Sequence, residues 1–62
     1  MEKYTAVYEM GANGWVAAHI KEHPSVQMVG RGVPEARLRL HEALALYLDV
    51  GESEFSLVDE VR

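Results

Sequence analysis

The residues of this chain that could support catalysis occur only in incomplete motifs. His41-Glu42 begins like the helical zinc-protease motif, in which a second histidine follows four positions after the first, but that position is Ala45. Gly30-Arg31-Gly32 precedes a predicted helix as a dinucleotide-binding turn does, yet Glu35 stands where the third glycine belongs. We therefore predict no catalytic residue and no nucleotide cofactor.

Two further histidines, His19 and His23, are close enough in the sequence to share a metal ion, with Glu22 between them. Two imidazoles without any thiolate give too few ligands for a closed zinc site, which takes four. The simpler interpretation is one histidine in a strand and one in a loop, with no metal and no other cofactor. A zinc-dependent rise in the thermal midpoint would instead favour the shared metal site.

Arg31, Arg37 and Arg39 form the one basic cluster of the sequence and are a candidate basic patch. Such a cluster is typical of a solvated helix edge; contact with an acidic partner surface or with nucleic acid is the alternative. In the nucleic-acid alternative, Trp15 would offer an aromatic surface on which a base can stack.

The composition is that of a small, acidic, folded domain. The 62 residues carry a net charge of −4 and no cysteine, and five of the ten acidic residues lie in the last fourteen positions. An acidic chain is poorly suited to polyphosphate, so binding of nucleic acid by this chain alone is not expected. A domain of this size buries only about 60% of its unfolded surface. Without disulfides, association is the remaining means of stabilisation, and we expect a homo-oligomer, either a dimer or a tetramer.

The segment from Pro34 to Asp49 is the one predicted helix. At about 100° per residue, its apolar positions form one arc that faces a core, namely Ala36, Leu40, Ala43, Leu44 and Tyr47. Ala45 is predicted to point away from this arc, Leu38 lies on the polar back, and Leu46 lies on a flank. Because neither leucine reaches the core, both are predicted at an interface with a second subunit or a partner.

Four strands are predicted around this helix. Alternating side chains over residues 3–9 and 15–20, separated by the glycine turn 11–14, predict a hairpin, and shorter patterns predict strands at 26–29 and 55–61. Val7 and Trp15 lie on the sheet face that a single helix cannot cover, so they join the two leucines as candidate interface residues. The expected fold is α+β: a three-stranded antiparallel meander, one covering helix and a fourth strand, in the order β-β-β-α-β.

The order of these features resembles the HicB-type antitoxin domain. The resemblance covers about the first 48 residues and rests on order and spacing: Tyr4-Thr5-Ala6-Val7-Tyr8-Glu9, a glycine turn, Gly14-Trp15-Val16-Ala17, Pro24, Gly30, Glu35-Ala36, Glu42-Ala43-Leu44 and Tyr47-Leu48. It implies a partial RNase H-like fold that binds and neutralises a small HicA-type toxin, a ribonuclease that cuts mRNA. It also implies assembly into dimers or larger forms.

The resemblance leads us to expect that residues 1–62 form a single HicB-like domain of a bacterial toxin-antitoxin system, with no C-terminal DNA-binding module. The expected function is an antitoxin, or an orphan relative, that acts by protein binding; the alternative is a nucleic-acid-binding or regulatory small domain without a toxin partner. An enzyme is not expected, since RNase H chemistry needs clustered carboxylates that hold two metal ions. No apolar run reaches the roughly 20 residues of a membrane span, and residues 1–3 do not begin a signal peptide, so a cytoplasmic location is expected.

Overall fold

The strands and the helix follow one another in the predicted order. In a computed structural model that describes residues 2–62, the strands are β1 (Glu2–Met10), β2 (Trp15–Ile20), β3 (His23–Arg31) and β4 (Phe55–Val61), and the helix is α1 (Val33–Leu48). Short 3-10 turns, Ala12–Gly14 and Glu52–Glu54, precede β2 and β4. β3 is longer than the predicted 26–29. It lies at a sheet edge, where a strand can include Pro24 although proline has no N–H to donate to a neighbouring strand.

The four strands form one mixed sheet in the order β3-β2-β1-β4. β1 pairs with β2 and β2 pairs with β3 in antiparallel directions, whereas β4 pairs with β1 in parallel. The predicted α+β class, with one helix and four strands, is therefore confirmed at this level. The sheet as a whole is not a simple meander, because the chain crosses from one edge to the other through α1 before it adds β4 beside β1.

Local sequence sets both ends of α1. Pro34 occupies the first turn, where its missing N–H leaves no hydrogen bond unmade, and Gly32 before it adopts a φ of 88° that suits glycine. At the other end Asp49 adopts a left-handed conformation with a φ of 57°, and its N–H donates to the carbonyls of Ala45 and Leu46. The helix therefore stops one residue before the predicted end.

The core lies between α1 and one face of the sheet. Its largest fully enclosed side chains come from both layers: Tyr8 and Ile20 from the sheet, and Leu40 and Leu44 from the helix. The helix contacts β3 most closely at Gly30, where a Cβ atom would lie 2.6 Å from the amide nitrogen of Ala36. Only a residue without a side chain permits this approach of strand and helix.

Two predictions for α1 are wrong at its C-terminal end. Ala45, predicted to point away from the core, is buried, because the chain after the helix turns back and the N–H of Val50 donates to the Ala45 carbonyl. Tyr47, predicted in the core arc, is more than half exposed. Its ring extends toward the start of β3 and contacts only the rim of the sheet, where its centroid lies 5.2 Å from that of His23.

Candidate interaction surfaces

The side chains on the sheet face opposite α1 form a surface that we call the open face. Val7 lies there but is 0% exposed, because its neighbours across the strands, His19 on β2 and Glu60 on β4, enclose it within the chain. Trp15 is 41% exposed on the same face. Of the two predicted interface residues of the sheet, Trp15 is thus available to another molecule, and Val7 is already buried within this chain.

The outward side of α1 forms a second surface, the helix surface, built from Leu38, Glu42, Leu46 and the following Val50. Leu38 is 61% exposed and Leu46 is 83% exposed. Residues four apart are neighbours along a helix, so these positions follow one another in a row. The four residues predicted at an interface therefore divide into two pairs on different surfaces of the molecule.

Leu46 stands between two open grooves of the helix surface. One groove, of about 500 Å³, runs toward β3 and is lined by Met28, Arg39, Glu42, Ala43 and Leu46 itself. The other, of about 310 Å³, runs toward the turn before β4 and is lined by Glu42, Ala45, Val50, Gly51, Glu52 and Leu46. Leu46 is thus an apolar ridge with a groove on each side. A protein surface of complementary shape can pack against it.

The charge around this ridge is negative. From Leu40 to Glu54 the chain contains four acidic residues and neither lysine nor arginine. The last turn of α1 carries no basic residue that would offset the partial negative charge at this end of the helix. Exposed apolar area and uncompensated negative charge therefore coincide at the C-terminal half of the helix.

The three arginines of the predicted basic patch lie at two different edges of the sheet. Arg31, on β3, places its guanidinium carbon 4.2 Å from the centroid of the Trp15 ring. Arg39 lies nearby, with its Nε 3.9 Å from the Glu35 carboxylate that also accepts a hydrogen bond from the Arg31 N–H. Arg37 instead faces β4. Arg31 and Arg39 are linked only through the Glu35 carboxylate, and Arg37 lies at the other edge, so the three arginines do not form one patch.

Arg37 belongs to a network that links α1 to β4 and β1. Its Nε donates to the Asp59 carboxylate at 3.1 Å, and the buried Tyr8 hydroxyl donates to the same oxygen at 2.9 Å. Burial, followed by the hydrogen bond to Asp59, raises the pKa of Tyr8 above the ordinary value of a tyrosine. The sequence signal for this network is modest: alternation along the last strand places Asp59 on the same face as Leu57.

Side chains of α1 also form hydrogen bonds with backbone groups of the two edge strands, β3 and β4. The Glu35 carboxylate accepts the N–H of Arg31 on β3 at 2.8 Å, and the Arg37 guanidinium donates to the Leu57 carbonyl on β4 at 3.4 Å. Backbone groups of an edge strand otherwise attract another strand, so these contacts reduce uncontrolled pairing. Each contact thus occupies one backbone group of an edge strand that could otherwise pair with another strand.

The histidines lie in three separate environments. His19 is on the open face, whereas His23 is on the helix side of the sheet between the rings of Tyr4 and Tyr47. His41 packs against the Phe55 ring with centroids 4.5 Å apart. His19 and His23 thus lie on opposite faces and do not share a site. Within residues 2–62, no group of three or more histidine, aspartate or glutamate side chains is placed to hold a metal ion.

Glu22 has a structural contact that the spacing of the two histidines does not suggest. Its carboxylate accepts the N–H of Thr5 at 2.8 Å and the Thr5 hydroxyl at 2.9 Å. The backbone hydrogen bond from Thr5 lowers the pKa of Glu22. These two hydrogen bonds of Glu22 therefore connect the turn between β2 and β3 to β1.

The described part of the chain, residues 2–62, contains no helix long and apolar enough to cross a membrane. The exposed side chains of residues 2–62 leave two candidate interaction surfaces, the open face with Trp15 and the helix surface with Leu46. No protein-family model, curated protein or solved structure matches this chain.

Proposed function

We propose that this chain is a HicB-like antitoxin, or an orphan relative of one, that binds and neutralises a small HicA-type mRNA interferase. The sequence resemblance over residues 4–48 motivates the proposal, and the order β-β-β-α-β with a helix on one side of a mixed sheet is compatible with it. In this interpretation the fold is a partial RNase H-like domain. Its role is recognition of a protein, and it carries out no chemistry of its own.

The observation that carries the proposal is that exposed apolar area and negative charge coincide at the C-terminal half of α1. Leu46 projects from a stretch, Leu40 to Glu54, that has four acids and neither lysine nor arginine. A protein that binds RNA needs a basic surface, and an acidic surface is electrostatically complementary to it. A small RNA-cutting toxin therefore has the surface chemistry that this chain is suited to cover.

One specific observation favours the alternative, a nucleic-acid-binding or regulatory domain without a toxin partner. Arg31 stacks over Trp15 at the rim of the open face, and an aromatic ring beside a guanidinium is a recurrent platform for single-stranded nucleic acid. Binding of a labelled single-stranded RNA at low salt, lost in Trp15→Ala, would favour this alternative. Absence of binding at low salt would exclude it.

Assembly into a homo-oligomer is part of the proposal. The open face leaves Trp15, Val29 and Val58 substantially exposed, with no second layer over them in the single chain. Burial of such residues between two copies would add apolar area that one helix cannot supply to so small a domain. The predicted assembly is therefore sheet face to sheet face.

Co-expression tests the proposed function directly. The chain, tagged for affinity purification, is produced together with each small basic protein encoded next to its gene. Co-purification of one such protein at physiological salt, together with rescue of growth from its toxicity, is the expected result. If none of them co-purifies and none is toxic, the antitoxin proposal is wrong.

A further inference from the structure

We infer that the helix surface centred on Leu46 is the docking site for a basic protein, and that the partner encloses Leu46 in an apolar hollow flanked by lysine or arginine. The inference rests on the proposed function in one respect, namely that the chain has a basic protein partner. It goes further in assigning the contact to the C-terminal half of α1 and not to the sheet.

The first step is the exposure of Leu46. At 83% it is the most exposed of the large apolar side chains among residues 2–62, and it makes no contribution to the core, which Leu40 and Leu44 complete from the inner side of the same helix. Leu46 also has hollows on both sides, lined by Met28 and Ala43 toward β3 and by Ala45 and Val50 toward β4. An apolar ridge between apolar hollows presents a shape with which another protein can interlock.

The second step is the charge around that ridge. Glu42 lies between the two grooves, Glu52 lines one of them, and Asp49 caps the helix whose free carbonyls end beside it. The nearest arginine, Arg39, has Glu35 as a partner. A neutral or acidic protein surface would meet uncompensated negative charge here, whereas a basic one would gain favourable contacts with each acid.

The same charge argues against two other occupants. A second copy on a two-fold axis through this surface would bring the same acidic patch, with Glu42 and Glu52, against itself, which is repulsive. The open face suits a second copy better, because it mixes charges of both signs, Lys3 and Arg31 with Glu9 and Glu60. A nucleic acid would bring phosphates against the acids of the helix surface.

Two substitutions with the same charge change test the assignment. Leu46→Lys places a lysine on the helix surface, and Val58→Lys places one on the open face, where Val58 is 52% exposed. Both variants keep the core intact, which circular dichroism and urea unfolding can verify. Each is titrated with a synthetic amphipathic peptide of leucine and lysine at helical spacing, and with a matched peptide in which glutamate replaces lysine. Amide chemical shifts of the isotope-labelled chain report the contact surface.

The expected result is that only the lysine peptide binds, that the shifted amides fall within residues 42–52, and that Leu46→Lys weakens binding tenfold or more. Val58→Lys, compared at a concentration at which the wild-type chain and both variants have the same mass in sedimentation, should change the dissociation constant less than twofold. Equal effects of the two variants, or shifted amides confined to the open face, would overturn the inference. It would also be overturned if sedimentation equilibrium showed that Leu46→Lys converts an oligomer to a monomer, because a second copy would then occupy the surface.

The two proposals fail in distinguishable ways. If the wild-type chain co-purifies with a basic neighbouring-gene product and Leu46→Lys does so equally well, the docking surface is wrong and the antitoxin function stands. If no such product binds the wild-type chain, the antitoxin function is wrong. The lysine peptide then still decides whether the Leu46 surface takes basic, apolar protein segments.

Discussion

Replacement of Gly30 by alanine should destabilise the domain, because an added Cβ atom has less room at Gly30 than at any of the other four glycines. Gly30 lies on β3 where the first turn of α1 crosses it, and an added Cβ would be 2.6 Å from the Ala36 nitrogen and 2.9 Å from its Cα. Both atoms belong to the helix backbone, so no side chain can rotate to make room. The helix would have to move away from the sheet, and the packing of Leu40 and Leu44 would loosen with it.

The magnitude follows from two opposing effects. Overpacking of a well-filled interior costs about 1–3 kcal/mol, and a contact with rigid backbone belongs at the upper end of that range. The alanine also restricts the unfolded chain, which returns about 0.4–1 kcal/mol. A net loss of about 2 kcal/mol is expected, against a total stability of roughly 3–9 kcal/mol for 62 residues. The thermal midpoint should fall by about 10 °C.

Urea unfolding followed by circular dichroism, at one protein concentration for all variants, measures this loss. Gly51→Ala is the matched control, because Gly51 has a φ of −73° and its added Cβ would meet only the Glu54 Cγ at 3.8 Å. The control should be unchanged or gain up to about 1 kcal/mol. A Gly30→Ala variant within about 0.5 kcal/mol of the wild type would refute the close approach of α1 to β3.

Three further predictions concern the buried network, the acid that binds Thr5, and assembly. Tyr8→Phe should cost about 2 kcal/mol at neutral pH, since a hydrogen bond to the Asp59 carboxylate is lost. Because the pKa of Tyr8 is raised in the folded state, the free energy of unfolding of the wild type should decrease as pH rises above the ordinary tyrosine pKa of 10. Urea unfolding at several pH values should show a smaller decrease for Tyr8→Phe. Because the pKa of Glu22 is lowered in the folded state, this residue stabilises the fold above the ordinary glutamate pKa of 4.5, and the stabilisation is lost as pH falls below that value. In Glu22→Gln the free energy of unfolding should therefore decrease less at acidic pH than in the wild type. Trp15→Lys should shift the mass in sedimentation equilibrium toward the monomer, and a wild-type chain that is monomeric at micromolar concentration would contradict the predicted assembly.

Periodicity was sufficient to predict the elements, because each has a strong local signal. The alternation of residues 3–9, the glycines before Trp15 and the arc of Ala36, Leu40 and Leu44 each specify one element and its inward face. The parallel pairing of β4 with β1 has no such signal, since it depends on where the chain emerges after α1. Likewise the burial of Val7 depends on neighbours from β2 and β4, which come together only in the folded sheet.

Of the four residues predicted at an interface, Trp15, Leu38 and Leu46 are exposed and Val7 is buried, and the sequence did not predict how they are arranged. Spacing alone identified Leu38 and Leu46 as apolar residues outside the core arc, and both are exposed. The division of the arginines between two edges follows from partners that are distant in the sequence: Arg37 is 22 residues from Asp59. Short-range patterns cannot supply such contacts, and the same limit applies to the two grooves beside Leu46.

The two sides of α1 allow stability and binding to be altered separately. The inner side chains, Leu40 and Leu44, are fully enclosed, so truncation of either should cost roughly 2–5 kcal/mol of folding free energy. Leu38 and Leu46 face solvent, and their replacement should change the free energy of unfolding by less than about 0.5 kcal/mol. An exposed leucine that does not stabilise the chain contributes apolar area only when another molecule covers it. Loss of binding without loss of stability at Leu46 is therefore the combination that a docking surface requires, and loss of both would place this side chain among the residues that maintain the fold.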